Sequence, residues 1–115
     1  AEFFGDHLRG EIVHVDRFGN LQTSLGRAEA ELLELSPGDR LEIRVGGTAL
    51  KAVFRQSYAF GVPGELEVVE DSHGSLAISV NLGRAAGRFP EAAAGTQVLL
   101  GREGFAVEGG AGRAG

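Results

Sequence analysis

"GEIVHVDRFGNLQTSL", residues 10–25, joins two alternating apolar segments through a corner at Gly19 and Asn20. Alternation sorts the first segment into two faces, one formed by Ile12, His14 and Asp16 and the other by Val13 and Val15. Period-two alternation is typical of β-strands, and a Gly-Asn pair is typical of a tight turn between them. The stretch therefore predicts two paired strands.

The same alternation recurs along the rest of the chain, in segments separated by Gly-rich or Pro-Gly turns. These segments are "RLEIRVGG" (40–47), "TALKAVF" (48–54), "GELEVVED" (64–71), "SLAISVN" (75–81) and "TQVLLGRE" (96–103). Six or so short strands predict an all-β fold with a mostly antiparallel sheet. A Greek-key barrel or a sandwich fits this pattern best, because closure removes exposed strand edges, and the expected fold is a small Greek-key barrel.

One or two short helices interrupt the strands. "RAEAELLELSPGD" (27–39) has helical spacing at Ala28, Leu32 and Leu35, and Ser36–Asp39 ends it. "RAAGRFPEAAAG" (84–95) is predicted to be a short helical or irregular connection. The expected organisation is one barrel domain over residues 1–108, followed by a low-complexity, disordered tail at 109–115.

Composition restricts the function classes. The net charge of –5 disfavours a nucleic-acid binder, and the modest cluster of Arg40, Arg44, Lys51 and Arg55 is expected to be the solvated face of a hairpin. With no Cys and only 3 His, neither a disulfide framework nor a metal site is expected. No membrane span or signal peptide is visible, so a cytoplasmic location is expected. The chain begins at Ala1 and contains no Met, which indicates a trimmed product or a piece of a longer protein.

The corner at residues 16–20 is the first candidate site. A tight turn alone accounts for Gly19 and Asn20 but is not expected to account for Asp16 and Phe18. A carboxamide such as that of Asn20 offers the paired donor and acceptor that match an adenine edge. The Phe18 ring offers a stacking face, and Asp16 can accept from an ammonium group. The structural and functional interpretations both stay open at this point.

Two further segments carry candidate residues. Tyr58 and Phe60 precede a Pro-Gly turn, where aromatic rings serve either as hydrophobic plugs or as a second stacking face opposite Phe18. Ser72 and His73 lie in a predicted hairpin turn at 72–74, and Asn81 follows the strand after it. The spacing supports no Ser-His-Asp triad, and there is no phosphate-binding glycine motif.

Three blocks in order resemble one family. The blocks are "GEIVHVDRFGNLQTSL", "QSYAFGVPGE" and "DSHGSLAISVNLGRAA", within a region of about residues 9–101. Together they resemble the C-terminal domain of the S-adenosylmethionine (SAM) hydroxide adenosyltransferases, or SAM hydrolases, relatives of the fluorinating and chlorinating SAM enzymes. The resemblance implies a small antiparallel barrel that binds the adenine and methionine ends of SAM.

The resemblance also implies a role for each candidate residue. Asn20 would hydrogen-bond the adenine edge between the rings of Phe18 and Tyr58. Asp16 would accept from the methionine ammonium, and Ser72 would contact the amino-acid part. His73 follows Ser72 in that block, and backbone groups of Asn81 to Gly83, including Leu82, would complete the adenine contacts.

The same resemblance implies a half-site. The family's N-terminal domain, which activates water, has no counterpart here, and the pocket forms between subunits of a homotrimer. Water or hydroxide would attack ribose C5′ of SAM, without metal or other cofactor, to give adenosine and L-methionine. The expected partners are therefore SAM or adenosine and the missing N-terminal domain, with no nucleic acid and no membrane. This chain alone is expected to be inactive.

Four positions depart from the family pattern: Ser24 replaces Asn, Ala77 replaces Glu, Arg84 replaces a small residue, and His73 stands where the fluorinating relatives have Arg. A neutral His pairs weakly with a carboxylate, so the methionine carboxylate contact at His73 stays open. The alternative function is a non-catalytic small barrel that binds an adenosyl ligand or an oligonucleotide.

Overall fold

The computed structural model describes residues 1–56 and 62–105, which form eight strands, one α-helix and one 3₁₀ turn. The elements in chain order are β1 (Glu2–Phe3), β2 (His7–Val15), β3 (Leu21–Gly26), α1 (Arg27–Leu32), β4 (Arg40–Val45), β5 (Thr48–Arg55), β6 (Leu66–Glu70), β7 (Ser75–Val80), the 3₁₀ turn (Ala85–Gly87) and β8 (Gln97–Arg102).

Seven of these strands close into a barrel. The strand order is β1-β2-β3-β7-β6-β5-β4-β8, and β2 pairs with β8 as well as with β3, which closes the sheet on itself. The predicted all-β, mostly antiparallel barrel is therefore confirmed. Among the described strands only β5 and β6 run parallel. The two-residue strand β1, which pairs with the first half of β2, was not predicted.

Strand β2 is longer than β3 and β8, and it pairs with both of them along different parts of its length. His7 to Glu11 pair with β8, whereas Ile12 to Val15 pair with β3. A register shift between Ile12 and His14 breaks the alternation that the sequence predicted through Asp16. Ile12 is buried in the core and Val15 packs against it, whereas Val13 is 51% exposed. A β-bulge inserts one residue and thereby changes which side chains share a face.

The barrel interior follows the predicted alternation elsewhere. In β4, Leu41, Ile43 and Val45 are fully buried, while the residues between them are only half-buried. The corresponding inward residues of β6 and β7 are Leu66, Val68, Leu76, Ile78 and Val80, all in the core cluster. Burying each such side chain contributes about 1.5–3 kcal/mol, so the core drives closure of the sheet.

Helix α1 is shorter than predicted, and a different face of it packs against the core. Ala30 and Leu33 pack into the core, whereas Leu32 is 51% exposed. The helix does not run to Leu35, because the chain turns into the left-handed region at Glu34, where φ is 56°. The predicted stop at Ser36–Asp39 therefore lies beyond the actual end of the helix.

The C-terminal boundary predicted at residue 108 and the disordered tail predicted at 109–115 lie outside the described residues. Within the described ranges, no helix has the length and apolar character that crossing a membrane would require.

Candidate functional site

The loop between β2 and β3 is organised by Asp16. Its Oδ1 accepts hydrogen bonds from the backbone N–H groups of Phe18 (2.9 Å) and Asn20 (2.9 Å), and its Oδ2 accepts one from Asn20 Nδ2 (3.2 Å). The Gly19 N–H donates to the Asp16 carbonyl, and Gly19 has a φ of +83°. The expectation that a turn would not account for Asp16 was therefore wrong, because the carboxylate caps the turn.

These hydrogen bonds also determine the charge of Asp16. Partial burial raises the pKa of its carboxyl, but the hydrogen bonds from Asn20 and Phe18 outweigh burial and leave the pKa below its ordinary value. Asp16 is thus a carboxylate at neutral pH. Its Oδ2 accepts from Asn20 Nδ2 alone among the described groups, so this oxygen can accept further hydrogen bonds.

The loop between β6 and β7 repeats the same turn. Asp71 Oδ1 accepts from the N–H groups of His73 (2.8 Å) and Ser75 (3.0 Å), and the Gly74 N–H donates to the Asp71 carbonyl. Gly74 has a φ of +82°, nearly that of Gly19. Both loops follow the pattern Asp-x-x-Gly, in which a left-handed glycine completes a short hairpin connection. The β2–β3 and β6–β7 loops are therefore built alike, although they lie at opposite ends of β3, whose Leu21 pairs with Ile78 and whose Gly26 pairs with Ser75.

Two neighbouring clefts lie against these loops. The Phe18 cleft, of about 570 Å³, is lined by Arg17, Phe18, Asn20, Glu67, Ser79, Val80, Asn81, Leu82, Gly83 and Arg84. The Ser72 cleft, of about 600 Å³, is lined by His14, Asp16, Asn20, Gln22, Asp71, Ser72 and His73. Asn20 lines both. Every predicted site residue that the structure describes therefore lines one cleft or the other, and the clefts meet at Asn20.

Phe18 presents its ring to solvent. The side chain is 62% exposed, and the Arg17 guanidinium lies 4.9 Å from the ring centroid on one face. Arg84, which also lines the cleft, anchors this loop, because its Nη1 donates to the Arg17 carbonyl at 3.0 Å. An exposed aromatic ring with a cation on one face is suited to stacking a flat ligand on the other.

The segment after β7 offers backbone groups to the Phe18 cleft. The N–H of Asn81 donates to the Glu65 carbonyl, and the N–H of Gly83 donates to the Val80 carbonyl. The N–H of Leu82, between them, has no hydrogen-bond acceptor among the described residues. Leu82 adopts a left-handed φ of 59° and is 86% exposed. Of the N–H groups in the predicted backbone segment Asn81 to Gly83, only that of Leu82 thus has no acceptor among the described residues.

Ser72 and His73 are both exposed at the tip of the β6–β7 loop. Their side chains line the Ser72 cleft across from Asp16 and Asn20. Tyr58, the predicted second stacking face, and Phe60 lie outside the described residues.

Sequence reasoning missed two buried polar residues of the Phe18 cleft, Glu67 and Ser79. Glu67 is fully buried, and burial first, then the negative charge of Glu65, raises its pKa to about 7. The available signal was a charged residue between Leu66 and Val68 in the strand "LEVVE". The cleft also takes in Arg17 and Arg84, which were not predicted as site residues.

The predicted basic cluster is largely neutralised. Arg44 pairs with Glu42 (2.8 Å), Lys51 with Glu103 (2.9 Å), and Arg55 forms two hydrogen bonds with Glu65 (2.8 and 2.9 Å). These residues form a mixed-charge surface rather than a positive stripe. Within residues 1–56 and 62–105, no group of three or more His, Asp or Glu side chains is placed to hold a metal ion.

The departures from the family pattern have local explanations in two cases. Ser24 Oγ accepts a hydrogen bond from the Glu11 N–H at 3.0 Å and so fastens β3 to β2. Arg84 anchors the β2–β3 loop, as described above. Ala77 is fully buried, and nothing in the described contacts explains why this residue type stands there.

Comparison with known proteins agrees with the geometry. Residues 10–98 match the family model described as the SAM hydroxide adenosyltransferase C-terminal domain. No curated protein gives a significant match. A crystal structure of an uncharacterized conserved protein from Thermotoga maritima is similar, with 32% identity, a TM-score of 0.77, and coverage of 84% of this chain and 36% of that one.

A second crystal structure, of a conserved hypothetical protein from Thermus thermophilus, is 28% identical with a TM-score of 0.58. The match covers 80% of this chain and 34% of that one. The chain thus spans about a third of each of these relatives. By the family match and the shared barrel, the chain belongs to the SAM hydroxide adenosyltransferase C-terminal domain family.

Proposed function

We propose that this chain holds the adenine and methionine ends of SAM in a SAM hydrolase. In the complete protein, water or hydroxide attacks ribose C5′, and the new C–O bond forms as the C5′–S bond breaks. The electron pair of that bond goes to the sulfonium sulfur, which leaves as the thioether of L-methionine, and loss of a proton gives adenosine. Because a sulfonium is already a good leaving group, the main requirement for catalysis is to position the water or hydroxide against ribose C5′.

The observation that carries this proposal is the meeting of the two clefts at Asn20. An adenosyl compound with an amino-acid end is a ligand with two chemically different halves, and two adjoining clefts suit it. The Phe18 cleft has an aromatic wall and a carboxamide, whereas the Ser72 cleft has a carboxylate and hydroxyl and imidazole groups. The family membership supports the same ligand.

In the Phe18 cleft, the base stacks on the open face of Phe18 while the Asn20 carboxamide and the Leu82 N–H bond its edge. Tyr58 supplies the opposite face of the slot. The supporting features are the exposure of Phe18 and the Leu82 N–H, which is unengaged among the described residues. Asn81 shapes this wall through its backbone bonds to Gly64 and Glu65.

In the Ser72 cleft, the ammonium group of methionine binds the Asp16 carboxylate, and Ser72 hydrogen-bonds the amino-acid part. The lowered pKa of Asp16 supports a charged acceptor at neutral pH. His73 lies beside Ser72 and faces the same end of the ligand. In this arrangement Asp16 has two functions, because it caps the loop with Oδ1 and receives the ligand at Oδ2.

The chain contributes binding and orientation rather than a catalytic group. The water-activating groups belong to an N-terminal domain, of the same or a neighbouring subunit, in a cytoplasmic homotrimer that requires no metal or other cofactor. The mixed-charge surface around Arg55 gives no support to the oligonucleotide-binding alternative.

The test is turnover of SAM in H₂¹⁸O by the protein expressed from the full gene. The expected products are L-methionine and adenosine that carries ¹⁸O at the 5′-hydroxyl, detected by mass spectrometry. The 115-residue chain, assayed in parallel, is expected to bind adenosine without turnover. Absence of adenosine from the full protein, or a gene that encodes these residues alone, would contradict the hydrolase assignment.

A further inference from the structure

Glu67 lies on the outer face of the barrel and is nevertheless fully buried. Its neighbours Leu66 and Val68 belong to the core, so alternation directs Glu67 to the opposite side of the sheet. Its exposed fraction is 0%, and that of Ser79, its directly opposite partner on β7, is 3%. Two adjacent strands therefore place a carboxyl and a hydroxyl side by side under a covered outer surface.

No N–H or O–H group of the other described residues donates to the Glu67 carboxyl or to Ser79 Oγ, and all three oxygens are buried. The carboxyl of Glu65 lies within hydrogen-bonding reach of Glu67, but two carboxyls share a hydrogen bond only while one of them is protonated. The nearby cation, Arg55, gives its two hydrogen bonds to Glu65 instead. Buried polar groups are almost always satisfied, and leaving one unpaired costs about 1–3 kcal/mol. An ionised Glu67 and the adjacent Ser79 therefore lack a partner among the described residues.

The Phe18 cleft supplies the place for that partner. Glu67 and Ser79 line it together with Phe18 and Asn20. The cleft thus has an aromatic wall and a carboxamide, and behind its lining lie a buried carboxyl that can accept hydrogen bonds and a buried hydroxyl that can donate one. This combination fits a flat nitrogen heterocycle whose edge carries an amino group next to a ring nitrogen.

We infer that Glu67 and Ser79 are specificity-determining residues of this cleft: Glu67 accepts a hydrogen bond from the exocyclic amino group of a 6-aminopurine, and Ser79 donates one to a ring nitrogen. The inference rests on the proposed function and adds two contacts to it. Because the ionised carboxyl has no donor among the described residues, the chain spends stability at this position in order to recognise the amino group.

The test compares adenosine with purine riboside, which differs only in having hydrogen in place of the amino group. Both nucleosides are titrated by calorimetry into the full protein and into its Glu67→Leu, Glu67→Gln and Ser79→Ala variants. Loss of the carboxyl in Glu67→Leu should weaken adenosine binding about 10-fold or more, a change of about 1.4 kcal/mol, and leave purine riboside binding unchanged. Glu67→Gln, which keeps an accepting oxygen, should retain most of the affinity.

The outcomes separate the inference from the proposed function. If adenosine and purine riboside lose affinity equally in Glu67→Leu, or if neither does, the amino-group contact is wrong while adenosine binding by the chain stands. If the unmodified protein binds neither nucleoside, the proposed function fails and takes this inference with it.

Unfolding by urea without ligand gives a second readout. Above pH 7, where Glu67 is ionised and has no donor among the described residues, replacing this buried carboxyl should raise the urea midpoint in Glu67→Leu and Glu67→Gln. A purely structural role for Glu67 predicts the opposite. A lowered midpoint in both variants would overturn the inference.

Discussion

The carboxylate of Asp16 holds Asn20 by two hydrogen bonds, one to its backbone N–H at 2.9 Å and one to its side-chain Nδ2 at 3.2 Å. Asn20 is the residue shared by the two clefts. The charge of Asp16 therefore fixes the orientation of the carboxamide on which the proposed base contact depends. Asp71 caps the second loop in the same way, which provides a matched control for each substitution in the first.

Asp16→Ala should destabilise the chain by about 1–2 kcal/mol, because three hydrogen bonds to a charged acceptor are lost. It should also weaken adenosine binding, since the Asn20 side chain loses its support. Asp71→Ala should cost similar stability and leave adenosine affinity unchanged, because its loop borders only the other cleft. Urea unfolding and calorimetry measure both effects; equal adenosine affinity in the two variants would contradict the positioning role.

The Asp16→Asn variant distinguishes the loop-capping role of Asp16 from its charge interaction with the ammonium group of the ligand. The Asn oxygen can still accept from the loop N–H groups, so most of the stability should be kept, but the Asn NH2 group cannot accept from Asn20 Nδ2, so adenosine affinity should fall as in Asp16→Ala. SAM should lose at least about 10-fold more affinity than adenosine does, because its ammonium also loses a charged partner. A variant that loses the same affinity for SAM as for adenosine would show that Asp16 only caps the loop.

Gly19→Ala should destabilise more than Gly74→Ala. Both glycines have a φ near +83°, so each substitution carries a cost of roughly 1–2 kcal/mol for the left-handed backbone. A Cβ at Gly19 would also lie 2.7 Å from Cβ of Arg84, whereas one at Gly74 meets nothing closer than 3.9 Å. The additional crowding should add at least about 1 kcal/mol, measured by urea unfolding. Equal losses of stability in the two variants would mean that Arg84 moves away from the new Cβ at little energetic cost.

The raised pKa of Glu67, about 7, predicts a pH-dependent stability difference. The folded state binds a proton at this carboxyl more tightly than the unfolded state, whose pKa is about 4.5. The wild-type chain should therefore lose roughly 3 kcal/mol relative to Glu67→Gln as the pH rises from 4.5 through 7. Asp16, Glu65 and Glu103, with lowered pKa values, lose their contributions only as the pH falls through the acidic range.

Urea unfolding of both proteins at a series of pH values measures this difference. Arg55 and Glu65 are the charged groups next to Glu67. The loss of stability at high pH therefore arises from burial of the ionised Glu67 and its repulsion by Glu65, and attraction to Arg55 partly offsets it. A constant difference between the two proteins across the range would contradict a buried, raised Glu67.

Much of the fold was predictable because alternation is a local signal. Hairpin strands such as β4 and β5 follow from it directly. The bulge after Ile12 was not predictable, because it arises where β2 changes partner from β8 to β3. The end of α1 was missed for a similar reason, since packing of Leu33 rather than the spacing of Leu32 orients that helix.

The site was predictable where the chain places its residues close together. The corner at Asp16 and Asn20 was recognised from five consecutive residues, although its capping was not. The pair Glu67 and Ser79 was missed because the two residues are far apart in the chain and meet only through the β6–β7 register. Burial on both sheet faces leaves no period-two signal, since residues that point outward are then as buried as those that point inward.

The most direct measurement is calorimetric titration of adenosine into the full protein and its Asn20→Ala variant, with Gln22→Ala as a carboxamide control that borders only the Ser72 cleft. The account predicts at least about a 10-fold loss of affinity in Asn20→Ala and no change in Gln22→Ala. Adenosine that binds Asn20→Ala as tightly as the unmodified protein would contradict the claim that the two clefts form one adenosyl site joined at Asn20.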